Sequence, residues 1–159
     1  ATFVGRAGAI EFFCNREGGG PDTANCLQAQ ARWRDNQRFE SFIEGLVERL
    51  EVIYQDSTLT YETKLTERQE IFDDHVEIFA TTVQPSFEAS TFQSFLSTPL
   101  NNATLLTRVR YHYRLEDFQT LLEERNGLRE AIRYLKEGID GPEDPFDLLP
   151  VSGVRPSVP

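Results

Sequence analysis

Asn102, Arg108 and Tyr111 share one stretch, Asn101-Asn102-Ala103-Thr104-Leu105-Leu106-Thr107-Arg108-Val109-Arg110-Tyr111, and their types and spacing suit ligand chemistry. An Asn heading an apolar-periodic run caps a helix, because its side-chain oxygen accepts one of the first orphan backbone N–H groups. Asn102 fits that post, or else presents its amide to a substrate. A turn of about 100° per residue from there puts Leu105, Leu106, Val109 and Tyr113 on one face, and Thr104, Thr107, Arg108 and Tyr111 on another. Tyr111 therefore falls among polar neighbours, with Arg108 one turn before it as a guanidinium able to meet a carboxylate.

Other constellations carry less. Asp73-Asp74-His75-Val76-Glu77 is the densest run of potential metal ligands. Neighbours at i and i+2 point to different sides of a helix, so His75 and Glu77 do not chelate one ion and the run reads as an exposed acidic face. His112 lacks an H-E-x-x-H or H-x-x-E-H context, and two such histidines do not build a zinc site, so no metal ligand is assigned within this chain. No G-x-S-x-G turn exposes a serine, and Gly18-Gly19-Gly20 is not followed by Lys-Ser or Lys-Thr, which leaves a nucleotide role unsupported. Trp33, between Arg32 and Arg34, reads as a half-buried packing residue.

The chain opens Ala1-Thr2-Phe3-Val4, with Arg6 and Gly8 following. Asn102, Ala103, Tyr111 and Phe118 come later in order, and Asp144-Pro145-Phe146 stands near the end. Over roughly residues 1 to 149 these motifs resemble the C-terminal part of bacterial zinc aminopeptidases of the gluzincin type. That family carries H-E-x-x-H on one helix and a third ligand Glu on a later one, in a context similar to Asn-Glu-x-x-Ala-Thr-Phe-Val. The sequence departs from it at Gly5 and Ala7, where the family tends to place acidic residues. The resemblance implies zinc as cofactor in the complete protein, held by residues absent from this chain, and a peptide as substrate. It implies a helical portion that walls the cleft, with Tyr111 as hydrogen-bond donor to the oxyanion formed when metal-bound water attacks the carbonyl. Asn102 and Arg108 become the candidate substrate-binding residues. It also implies an exported or membrane-anchored parent, a periplasmic setting included, reached through a segment that precedes Ala1. With no Met anywhere and no cap before Thr2, the chain reads as a processed or truncated product.

Sixteen basic against twenty-six acidic residues give a net charge of −10. Such a balance argues against the phosphate-neutralising surface that nucleic acid requires. No apolar run approaches the roughly 18 residues of a membrane span, and the N-terminus has no basic head with an apolar stretch behind it. Cys14 and Cys26 are twelve apart, neither C-x-x-C nor a zinc-ribbon spacing. They form a disulfide if the protein is exported, or remain two small buried hydrophobes, the commoner outcome.

The elements that position these residues are all helical, since no run alternates with period two between turn signals. The fold class is all-α: a bundle of about six helices, two of them long and antiparallel, with an extended Pro-rich C-terminal tail. The first helix covers 1 to about 16 and stops at Gly18-Gly19-Gly20-Pro21. A long one, capped by Asp22 or Thr23, runs to about Asp56 with Leu27, Ala31, Phe39, Phe42, Ile43, Leu46, Leu50 and Ile53 or Tyr54 as its apolar stripe. A third runs from Thr60 to Val83 with Leu65, Phe72, Val76 and Phe79 inward. Residues 86 to 97 read as a short Phe-rich helix. The helix of Tyr111 follows, then Leu115 to Asn126 and Gly127 to Ile139. Residues 1–141 form one helical domain and 142–159 an extended or disordered tail. A bundle of this kind also suits a non-catalytic interaction or scaffold module, because helical bundles host many functions.

Overall fold

The computed structural model describes residues 2–150, and among them there is no strand. The all-α class holds. Six helices of ten or more residues follow one another: α1 Thr2–Asn15, α2 Ala24–Gln55, α3 Tyr61–Ile78, α5 Asn102–His112, α6 Leu115–Glu124 and α7 Leu128–Gly138, with α4 a single turn at Ser94–Ser97. The chain divides into two compact units. The first comprises Ala1–Trp33 with Arg114–Pro159, the second Arg34–Tyr113.

The second unit is a helical hairpin with a loop and a helix packed on it. The stripe of α2 enters its core at Phe39, Ile43, Leu46, Leu50 and Ile53, and meets Ile71, Phe72 and Phe79 from α3, the latter from its π-helical continuation Phe79–Val83. Thr60 caps α3 by accepting from Thr63 N–H at 3.2 Å. Lys64 Nζ donates to Tyr54 O, Arg49 pairs with Asp74, and the Phe42 and Phe39 rings meet His75 and Phe79. Partners thus advance along α3 as they retreat along α2, so the two long helices are antiparallel.

Of the Phe-rich helix expected over residues 86–97, only the single turn α4 at Ser94–Ser97 forms. Asp35, fully buried on α2, accepts from the backbone N–H groups of Glu88, Ala89 and Ser90 at 2.9, 2.8 and 2.8 Å. A carboxylate that satisfies three successive N–H groups removes the need for helical partners and folds the segment into a loop. Phe92 then takes a left-handed φ of 42° and stacks on Phe39 at 4.2 Å between ring centres. Arg34 and Arg38 both bond the exposed Glu88, and those bonds pull its pKa down to about 2.

In the first unit, Phe3 and Ala7 of α1 pack with Trp33 and Leu115, and Phe3 stacks on Phe118 at 4.9 Å. Trp33 is accordingly a buried core residue, 7% exposed. Cys14 and Cys26 are joined in a disulfide, their Cα atoms 4.8 Å apart, which corrects the expectation of two free thiols. The turn between them brings the helix ends together: Gly18 has φ 75°, and a Cβ at Gly19 would sit 2.6 Å from Phe13 O. Only glycine meets both demands. Leu27, counted in the stripe, is 50% exposed.

The segment from 142 to 150 is docked where an extended tail was expected. Asp144 accepts from Phe146 N–H at 2.9 Å to start a 3₁₀ turn at Pro145–Leu148, and Leu149 is buried with Leu121 and Ala131. Arg114, held by the buried Asp117 at 2.5 Å, donates to Phe146 O at 2.9 Å. The rest of the predicted tail, residues 151–159, lies outside the described residues.

Candidate functional site

Helix α5 begins one residue earlier in cap terms than the sequence suggested. Asn101 is the N-cap: its side chain accepts from Thr104 N–H at 3.0 Å while Thr104 Oγ1 accepts from Asn101 N–H at 3.0 Å, a reciprocal capping box. Asn102 is thereby released from capping. Its Oδ1 instead accepts from the Tyr54 hydroxyl at 3.0 Å, and the residue is exposed.

Around the helix, Leu105 is buried and Val109 half-buried, while Asn102, Ala103, Leu106, Thr107, Arg110 and Tyr111 are exposed. Leu106, expected inward, is 67% exposed, because the core of the second unit claims the Leu105–Val109 line and Leu106 lies about 100° away from it. His112 is not a site residue: its ring packs edge-on against Phe39 at 4.9 Å and Phe92 at 5.8 Å.

Tyr111 is 54% exposed near the C-terminal end of α5. Nine residues from Asn102, it lies about 13 Å along the axis and roughly half a turn around it. The two side chains therefore serve different parts of any bound molecule, not one reacting carbonyl. Arg108 is nearer, about 4.5 Å along the axis from Tyr111. Its Nη2 donates to Ser94 O at 2.8 Å and its guanidinium lies 5.2 Å from the centre of the Phe95 ring. Burial lowers its pKa from the ordinary arginine value. From Ala89 through Leu115 there is no Asp or Glu, so α5 itself contributes no carboxylate beside Tyr111 in a chain whose net charge is −10. Sequence reasoning missed Tyr54 as the partner of Asn102, although the ambiguity between Ile53 and Tyr54 in the stripe was the signal.

The acidic run on α3 splits as helix geometry demands. Asp73, Asp74 and Glu77 face solvent, but His75 is buried, 5% exposed, and does not belong to that face. Its Nδ1 lies 2.9 Å from Ile71 O and 3.3 Å from Arg49 Nη1. The closer carbonyl assigns the proton to Nδ1. Burial, foremost, lowers the His75 pKa.

A zinc site does not fit these residues. His75 turns Nδ1 to a carbonyl, His112 is packed between aromatic rings, both cysteines are spent in the disulfide, and no group of three or more His, Cys, Asp or Glu converges among the described residues. Nor is any helix among them long and apolar enough to cross a membrane.

The sequence profile of a family described as putative aminopeptidase matches residues 1–138, which includes every helix from α1 to α7. No curated protein and no solved structure matches the chain.

Proposed function

The chain belongs to that aminopeptidase family, and from this premise we propose that its helices form one wall of a peptide-binding cleft in a zinc aminopeptidase, with Tyr111 as an oxyanion donor. The family match carries the class. The residue rests on one observation, the exposed Tyr111 ring on a helix without acidic residues, three positions after Arg108. A developing negative charge is stabilised by a fixed donor, and a phenol about 3 Å away on a helix without acidic residues supplies such a donor. Arg108 orients a substrate carboxylate with the donors left after Ser94 and Thr104, and the Asn102 amide holds a more distant part of the peptide, as their separation along α5 requires. Zinc activates the attacking water when bound, and its ligands are other than the residues of this chain.

The test uses the complete zinc-loaded protein. Tyr111→Phe is expected to lower kcat about a hundredfold with little change in KM or in thermal stability, the loss typical of one oxyanion donor. An unchanged kcat removes Tyr111 from the mechanism. The 159-residue polypeptide alone is expected to release no N-terminal amino acid with added zinc, and such release would overturn the assignment of the ligands elsewhere.

A further inference from the structure

Within the first unit, a groove of about 640 Å³ is lined by Gly8, Glu11, Phe12, Asn15 and Arg16 of α1 and the turn after it, and by Leu128, Arg129 and Ile132 of α7. Its floor is apolar. Gly8 opens it, since a Cβ there would already touch Leu128 at 3.5 Å, and Phe12 stays 53% exposed along its side. Its rim is polar and uncommitted: among the described residues the side chains of Glu11, Asn15, Arg16 and Arg129 make no hydrogen bond or ion pair. Two arginines against the single carboxylate of Glu11 give the groove a net positive lining in a chain whose net charge is −10, which favours an anionic group there. Arg16 is held in position there, its guanidinium 4.7 Å from the Phe12 ring centre and 5.4 Å from that of Phe13. The Cys14–Cys26 disulfide anchors the end of α1 that carries Asn15 and Arg16.

The geometry points to a binding site for the C-terminal end of a peptide whose last residue is apolar. The α-carboxylate is the bidentate acceptor that Arg16 and Arg129 fit. The apolar side chain covers Phe12, Leu128 and Ile132, and a volume of a few hundred cubic ångström suits two or three residues. Glu11 and Asn15 offer partners to backbone amides, which favours a peptide over an alkyl carboxylate, a choice that also accords with the family.

Calorimetric titration of the intact, oxidised chain with the tripeptide Ala-Ala-Leu, its C-terminal amide and decanoate tests the assignment. The free acid is expected to bind the native chain about tenfold or more tightly than the amide does, and about tenfold or more tightly than it binds the Arg129→Gln and Phe12→Ala variants. Both substitutions are at exposed positions, and helical circular dichroism checks that the variants fold. Equal affinity for acid and amide, an unaffected Arg129→Gln, tighter binding of decanoate, or no binding at millimolar peptide overturns it. Because the readout is binding without turnover, it is independent of the outcome for Tyr111.

Discussion

The Tyr54 hydroxyl donates to Asn102 Oδ1 across 3.0 Å and ties the last turn of α2 to the first turn of α5. Residue 54 is 39% exposed, so water competes for the bond. Tyr54→Phe is expected to lower stability by about 0.5–1 kcal/mol in urea unfolding. A larger loss would show that the bond bears more of the α2–α5 contact than its exposure allows.

Asp35 is a stronger constraint, since its carboxylate is fully buried and receives three backbone N–H bonds. Asp35→Asn turns an N–H group toward an N–H group. It is expected to destabilise by about 3 kcal/mol, the cost of leaving buried donors unmet. Chemical denaturation measures it, and hydrogen exchange should quicken at residues 88–90 first.

Two pH windows follow from shifted groups. His75 has a lowered pKa, so below its ordinary 6.5 the unfolded chain takes up a proton that the folded protein refuses. Stability is full above pH 6.5 and falls as pH drops through the depressed value. Glu88 is held at about 2 by Arg34 and Arg38, so its contribution is present above its ordinary 4.5 and fades as pH falls toward 2. Urea midpoints across pH 3 to 8 should show the first decline flattened in His75→Gln and the second reduced in Glu88→Gln.

Reduction of Cys14–Cys26, which closes a loop of twelve residues, is expected to cost about 3 kcal/mol by the loop-closure argument. Thiol labelling with and without reductant establishes the bond in solution. Thermal unfolding of Cys14→Ser/Cys26→Ser measures its worth. Full labelling without reductant would remove the crosslink from the protein.

The sequence by itself determined the helices, because helical periodicity, Gly18-Gly19-Gly20 and the Thr60 and Asn101–Asn102 stops are local chemistry that each segment obeys without its neighbours. It marked the α2 stripe from Phe39 to Ile53 as core for the same reason, and it singled out Tyr111 by type and setting, though not the role proposed for it. Tertiary structure decided what periodicity cannot encode. Residues 87–93 lost their helix to a carboxylate more than fifty positions away in sequence, and the approach of two Cα atoms, not the spacing of Cys14 and Cys26, closed the disulfide. Leu106 went outward and His75 inward because only the packed neighbours of α5 and α3 select which of two adjacent faces is covered. Asn102 and Arg108 likewise received their partners, Tyr54 and Ser94, from distant segments, since a side chain's hydrogen bonds are settled by whichever groups folding brings within about 3 Å.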